Sequence, residues 1–119
     1  MKVLVLDYYG VLAQQKSGGW QLNTELINLL MNIKKRAKIV LVSNTYAKSP
    51  EQLNPKLDAS LFDLILLAGA TGLWKPDVLV YETIITKLGI TPKYYLIIDD
   101  NQNHLEAAAE HICERGKSK

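Results

Sequence analysis

The chain has 119 residues, of which 48% are hydrophobic and 22% are charged, and this balance predicts one globular domain over residues 1–119. Lys and Arg number 14 against 12 Asp and Glu, so no surface for nucleic acid is indicated. The single cysteine excludes an internal disulfide and fits a reducing compartment, so we expect a cytoplasmic protein. The first apolar run is too short for a signal peptide or a membrane span, so no membrane association is predicted.

Four apolar runs rich in Val, Ile and Leu are typical of strands that are buried on both faces. They cover residues 3–6, 39–42, 64–67 and 95–98. Helical spacing of apolar residues predicts helices between and after these runs. The predicted helices cover residues 24–37, 77–88 and 102–115, with a shorter one at 50–57. Strands that alternate with helices predict a three-layer α/β fold, in which helices flank a parallel sheet.

Short polar residues follow three of the four predicted strands. Asp7 comes directly after the first strand, Ser43 after the second, and the pair Asp99 and Asp100 after the fourth. The carboxyl ends of parallel strands meet at one edge of the sheet, and ligands bind there in open α/β folds. The sequence therefore predicts a functional site at this edge.

Four segments resemble, in order, the signature motifs of the haloacid dehalogenase-like (HAD) superfamily. They are Asp7-Tyr8-Tyr9-Gly10-Val11, Val42-Ser43-Asn44, Lys75-Pro76-Asp77 and Ile98-Asp99-Asp100-Asn101. Each motif is weak alone, but four in the right order and structural context are specific. The similarity spans roughly residues 2 to 116, and it implies a Rossmann-like sheet of strand order 4-1-2-3. It also implies a Mg²⁺ cofactor and phosphoryl transfer through an aspartyl-phosphate.

By this resemblance, Asp7 is the expected nucleophile and also a metal ligand. A carboxylate attacks a phosphate dianion only when a cation stands between them. Mg²⁺ prefers hard oxygen ligands, so we expect it to bind Asp7, Asp100 and the backbone carbonyl of Tyr9. Asp100 aligns better with the metal position of the family, and Asp99 is the alternative ligand.

Two further residues are expected to contact the phosphoryl group. Ser43 offers a hydroxyl and a backbone N–H, and Lys75 offers a positive charge. Taken singly, they read as a loop serine and a surface lysine, and the four-motif context favours the catalytic interpretation. His104 stands where the resemblance implies Asn or Asp near the metal, so an indirect role stays open beside a structural one.

Tyr9 is the main departure from the family pattern. Phosphatases of the family carry a second Asp at this place, which acts as general acid and base and is typically worth about 10²–10⁴-fold in rate. A phenol is a poor base for water at neutral pH, so we expect slow hydrolysis of the phosphoenzyme. Tyr followed by Gly10 also resembles the 2-haloacid dehalogenases of the superfamily, although those rely on a cap domain and on different residues in the fourth motif.

The intervals in which the superfamily inserts cap domains are short in this chain. Residues 8–37 and 44–74 each hold only a few predicted elements, so we expect no cap. An open site implies a large phosphorylated substrate, a partner protein as lid, or no catalysis. The chain ends soon after the last predicted helix, without the further strand that is usual in the family. The sheet then has four strands, or a partner supplies an edge, as in a homo-oligomer.

These observations leave several functions open. The first is a Mg²⁺-dependent phosphohydrolase of low turnover. The alternative is a non-catalytic relative that binds metal, phosphate or a partner. A 2-haloacid dehalogenase and a receiver-like phosphoacceptor rank lower, because receivers place their acidic pair at the first strand and their lysine near the end.

Overall fold

The computed structural model describes residues 2–90 and 94–117, with side chains described up to residue 110. The strands are β1 (Lys2–Leu6), β2 (Ala13–Lys16), β3 (Gly19–Leu22), β4 (Ala37–Ser43), β5 (Leu64–Leu67) and β6 (Tyr95–Ile98). The helices are α1 (Thr24–Ile33), α2 (Ala68–Thr71), α3 (Val78–Leu88) and α4 (Gln102–Lys117). Short 3₁₀ turns lie at Pro50–Gln52 and Ala59–Leu61.

Four of these strands form a parallel sheet in the order β5-β4-β1-β6. Numbered along the chain, the four strands predicted from the sequence have the order 4-1-2-3, so the expected topology is confirmed. Leu6 pairs with Leu41 on one side and with Ile98 on the other. The ends of β1, β4 and β6 therefore lie side by side, which brings their following loops together.

Both faces of the sheet are buried, because successive side chains of a strand point to opposite sides. On one face Leu6, Ile39 and Leu41 join a core with Leu30 of α1. The other face packs against α3 and α4. Its core residues include Val3, Val5, Val40, Val42, Val80, Tyr81, Ile84 and Ala108. The predicted arrangement of helices on both sides of the sheet is confirmed.

Two of the predicted helices differ from the structure. Helix α1 begins after Asn23, whose side chain accepts a hydrogen bond from the N–H of Leu26. It ends at Ile33 instead of residue 37, because Ala37 already pairs with Lys2 in the sheet. The expected helix at residues 50–57 is wrong, since that segment forms only the turn Pro50–Gln52.

A β-hairpin of β2 and β3 was not predicted. Lys16 pairs with Gly19 across a two-residue loop, and Gly19 has a φ of +107°. The strand β2 is largely polar and exposed, so it lacks the apolar alternation that marks a half-buried strand. The two glycines after Ser17 were the available signal for a hairpin turn.

No cap domain is inserted between the motifs, as expected. The interval from 44 to 74 holds two 3₁₀ turns, β5 and α2, all described in the structure. Strand β6 lies at an edge of the sheet, with Leu96 exposed, and pairing of this edge with a partner stays a prediction. In the described part of the chain, no helix is both long and apolar enough to cross a membrane.

Candidate functional site

Three aspartates meet where β1 and β6 end. The N–H of Asp7 donates to the carbonyl of Ile98 at 3.0 Å, which continues the pairing of the two strands and sets Asp7 beside Asp99. Carboxylate oxygens of Asp7, Asp99 and Asp100 all lie within 4.8 Å of one another. The predicted convergence of strand-end acids is therefore what the topology produces.

Lys75 is buried among these acids and is only 6% exposed. Its ammonium lies 3.1 Å from Asp7 Oδ1 and 2.7 Å from Asp99 Oδ2, and it also donates to the carbonyl of Val42 at 3.1 Å. An ammonium has three donors, and each of them has an acceptor here. Lys75 thus ties together the ends of β1, β4 and β6.

The backbone of Lys75 is held by the side chain of Asn44. The Asn44 amide donates to the Lys75 carbonyl at 2.9 Å, and its oxygen accepts from the Lys75 N–H at 2.8 Å. This pair of bonds, the Asn44–Lys75 clasp, joins the loop after β4 to the segment before α3. Asn44 belongs to the second motif, but the sequence predicts no partner for it, because only the fold brings residues 44 and 75 together.

The site shifts the pKa values of Asp7 and Asp99 in opposite directions. Burial raises the pKa of Asp7 from its ordinary value of 3.8 to about 6, with the nearby Asp99 charge adding to the rise and Lys75 opposing it. Burial also opposes ionisation of Asp99, but the hydrogen bonds from Lys75 and from the Asn101 N–H outweigh it and lower its pKa. The single ammonium of Lys75 therefore contacts both carboxylates, and it stabilises the ionised form of Asp99 more than that of Asp7.

This donor set fits a hard divalent cation. Three carboxylates and one ammonium leave an excess of negative charge, and oxygen ligands are those that Mg²⁺ prefers. Both oxygens of Asp99 have partners, since Oδ2 contacts Lys75 and His104 and Oδ1 accepts from the Asn101 N–H. The contacts of Asp7 with Lys75 and with the Tyr8 N–H both fall on Oδ1, and Asp100 is exposed. Asp7 and Asp100 are thus the freer ligands, in line with the preference drawn from the motif. A ligand role for the Tyr9 carbonyl stays a prediction.

Gly10 allows Asp100 to approach the loop after β1. Its φ is +92°, in the left-handed region that favours glycine. A Cβ at this position would fall on the carboxylate of Asp100. The glycine in the first motif therefore has two physical reasons, its backbone conformation and the closeness of an acidic side chain.

Tyr9 is directed into a small aromatic cluster. Its ring packs edge-on against Tyr8 and Trp20, with centroids 4.8 and 4.9 Å away. Its hydroxyl donates to the carbonyl of Asn54 at 3.3 Å, and the hydroxyl of Tyr8 donates to the carbonyl of Pro55. The Tyr9 phenol thus braces the hairpin and the loop at 54–55, and this contact could not be read from the sequence.

The remaining predicted residues lie at the same edge. Ser43 is buried and is the last residue of β4, next to Asn44 of the clasp, and its contact with a phosphoryl group stays a prediction. His104 Nδ1 lies 3.2 Å from Asp99 Oδ2. His104 therefore contacts the acids through Asp99, and its indirect role near a metal stays a prediction.

The fold is of the HAD-like class. A predicted HAD-like family hydrolase from Porphyromonas gingivalis aligns with a TM-score of 0.78 and 16% identity, covering 94% of this chain and 88% of that one. The HAD family enzyme BT-2542 from Bacteroides thetaiotaomicron, in complex with magnesium and inorganic phosphate, aligns with a TM-score of 0.78 and 15% identity. That alignment covers 94% of this chain and 91% of the other.

Sequence comparison gives the family itself. The family model for haloacid dehalogenase-like hydrolases matches residues 2–111, so the chain belongs to this family and the resemblance in the motifs is confirmed. Mouse acyl-CoA dehydrogenase family member 10 is 27% identical over 108 residues, which is 90% of this chain. The chain spans only 10% of that curated relative.

Proposed function

We propose that this HAD-like protein is a Mg²⁺-dependent phosphohydrolase of low turnover that acts through an aspartyl-phosphate on Asp7. One observation carries the proposal: three carboxylates lie within 4.8 Å of one another, with the buried ammonium of Lys75 against two of them. The complex of BT-2542 with magnesium and inorganic phosphate supports the choice of metal and of substrate class.

Bound Mg²⁺ would neutralise the charge between a phosphate dianion and the carboxylates of Asp7 and Asp100. Such neutralisation also favours the ionised form of Asp7, whose pKa burial otherwise raises to about 6. Asp7 then attacks phosphorus, a P–O bond forms to its carboxylate, and the bond to the leaving oxygen breaks. Ser43 is proposed to donate a hydrogen bond to an equatorial phosphoryl oxygen.

The role of Lys75 is narrower than its charge alone suggests. Its three donors already have acceptors on Asp7, Asp99 and Val42. A bond to a phosphoryl oxygen must therefore replace one of these, and the 3.1 Å contact with Asp7 is the one that nucleophilic attack would release. Lys75 is proposed to orient Asp7 first and to stabilise the transferring group afterwards.

Low turnover follows from Tyr9. The leaving oxygen needs a proton and the phosphoenzyme needs an activated water, tasks that a positioned acid and base normally supply. The Tyr9 hydroxyl is instead bound to the carbonyl of Asn54 at 3.3 Å. Water must then attack the phosphoenzyme with little help, so we propose that dephosphorylation limits the rate. The uncapped edge leaves room for a large substrate or for a partner that covers it.

The test is release of p-nitrophenolate from p-nitrophenyl phosphate with Mg²⁺ and with EDTA. Wild type should show slow Mg²⁺-dependent turnover, and Asp7→Asn should reduce it to background. Tyr9→Asp should raise the rate and Tyr9→Asn should not, since both lose the aromatic packing and only Asp can transfer a proton. Absence of Mg²⁺-dependent turnover in wild type and in Tyr9→Asp would overturn the proposal.

A non-catalytic binding protein is the second candidate. The observation that favours it is the occupation of the Tyr9 hydroxyl and of all three Lys75 donors by protein groups. In that case Mg²⁺ and inorganic phosphate should bind together in calorimetry while the turnover assay stays blank in every variant. A chloride-release assay on 2-haloacids tests the dehalogenase alternative separately.

A further inference from the structure

Two exposed aromatic rings stand beside the Asn44–Lys75 clasp. The side chains of Tyr46 and Trp74 pack against each other with centroids 5.1 Å apart and an interplanar angle of 60°. Tyr46 is 85% exposed and Trp74 is 36% exposed. Single exposed apolar residues are ordinary, but here two large rings form a continuous surface, which we call the aromatic platform.

Both residues of the platform are close in the chain to residues of the proposed phosphate site. Trp74 directly precedes Lys75, and Tyr46 lies two residues after Asn44, so the clasp joins the two backbone segments that carry the rings. The Lys75 side chain runs from the platform to an ammonium 3.1 Å from Asp7 Oδ1. The backbone that carries Trp74 therefore lies about the length of one lysine side chain from the reacting carboxylate.

The backbone under Tyr46 is also fixed from a second side. The N–H of Gly69 donates to the carbonyl of Thr45 at 2.7 Å. A Cβ at Gly69 would fall on the carbonyl oxygens of Tyr46 and Ala47, so the first turn after β5 packs directly on this loop. A backbone that is fixed before binding need not be ordered when a ligand covers the ring it carries, which increases affinity.

We propose that the aromatic platform of Tyr46 and Trp74 stacks a flat ring of the ligand whose phosphate occupies the site at Asp7, which names a ring-bearing phosphate monoester as the substrate class. This inference rests on the proposed function, because it requires the phosphate site. Because the backbone that carries the rings lies a lysine side chain away from Asp7, we infer a ring set several bonds from the phosphoryl group, as in a nucleoside monophosphate, and not a ring bonded directly to it.

The test compares the Mg²⁺-dependent binding of four probes to the full chain by calorimetry. They are adenosine 5′-monophosphate, ribose 5-phosphate, phenyl phosphate and inorganic phosphate. Ring stacking on an aromatic side chain should make the nucleotide bind about tenfold more tightly than ribose 5-phosphate. Tyr46→Ala should abolish this preference, and Tyr46→Phe should keep it. Tyr94→Ala is the matched control. Tyr94 is a 46% exposed tyrosine directly before β6, at the amino end of this strand, whereas the site lies at the carboxyl ends of the strands.

Trp74 gives an independent signal. The chain has two tryptophans, so in a Trp20→Phe protein the fluorescence of Trp74 should be quenched by the nucleotide and unchanged by ribose 5-phosphate. Equal binding of the two probes, or a preference that survives in Tyr46→Ala, would overturn the platform. If Tyr46→Ala weakens the binding of phenyl phosphate but not that of the nucleotide, the proposal of a ring several bonds from the phosphoryl group is overturned. If none of the four probes binds, the proposed function itself has failed.

Discussion

In the absence of metal, replacing Asp7 by Asn should stabilise the folded protein at neutral pH. Burial raises the pKa of Asp7 from 3.8 to about 6, so the carboxyl group holds its proton more tightly in the folded than in the unfolded state. Between about pH 4 and pH 6 the folded state therefore binds more protons, and the free energy of unfolding falls as the pH rises. Asn has nearly the same shape and carries no charge, so the variant lacks this loss.

The size of the effect follows from the same values. The rise in the pKa of Asp7 from 3.8 to about 6 corresponds to about 3 kcal/mol in the free energy of unfolding, since each pKa unit is worth about 1.36 kcal/mol. Lys75 keeps its 2.7 Å ion pair with Asp99 in the variant, so no buried ammonium is left unpaired. About 1 kcal/mol shifts Tm by about 4 °C for a chain of this size. We therefore expect Asp7→Asn to melt up to about 12 °C higher than wild type at pH 7.5, and at almost the same temperature as wild type near pH 4.

The assay is thermal and urea unfolding followed by circular dichroism, in EDTA, from pH 4 to pH 8. Asp58→Asn is the control, because the hydrogen bonds of Asp58 with Ser60 lower its pKa and its replacement should not stabilise the protein as the pH rises. Added Mg²⁺ should stabilise wild type more than Asp7→Asn, since a ligand that binds only the folded state stabilises it by mass action. If Asp7→Asn is less stable than wild type at pH 7.5, or gains equally at both ends of the range, the reasoning is refuted.

Three other substitutions test the fold and the site. Gly10→Ala should abolish the stabilisation by Mg²⁺ in thermal melts, because its Cβ would displace a metal-facing carboxylate, whereas Gly18→Ala should keep it, since the nearest atom to its Cβ is 3.6 Å away. Asn44→Ala breaks both bonds of the clasp and should cost about 1–3 kcal/mol in urea unfolding. Leu30→Ala in the core should cost about 2–5 kcal/mol, and its neighbour Leu29, 55% exposed, should change stability by less than about 0.5 kcal/mol on the same substitution.

Local patterns in the sequence were sufficient for the sheet. The four apolar runs became β1, β4, β5 and β6 in the expected order, because strands buried on both faces need continuous apolar residues. The hairpin of β2 and β3 escaped prediction because it is mostly polar. The helix predicted at 50–57 is absent although its segment contains buried apolar residues. Leu53 and Leu57 are buried and anchor the chain to the core without helical geometry.

The position of the candidate site could be predicted from the sequence, but the contacts of its residues could not. Its position at the strand ends follows from the sequence, since Asp7 and Asp99 each come directly after a strand and the strands are parallel. The partners of each residue depend on distances across the fold. The sequence suggested that Lys75 faces a phosphoryl group and left the contacts of Tyr9 open. The structure gives Lys75 three protein acceptors and binds the Tyr9 phenol to Asn54.

The sequence by itself thus determined the strands of the parallel sheet, the layers, the family and the residue types at the site. These depend on the periodicity of apolar residues and on which residue follows each strand, and both are local properties of the chain. Only the tertiary structure decided the charge balance around Asp7, the Asn44–Lys75 clasp and the pairing of Tyr46 with Trp74. These depend on groups that are distant in sequence, and burial and ion pairing act only once the fold has brought such groups within a few ångströms of each other.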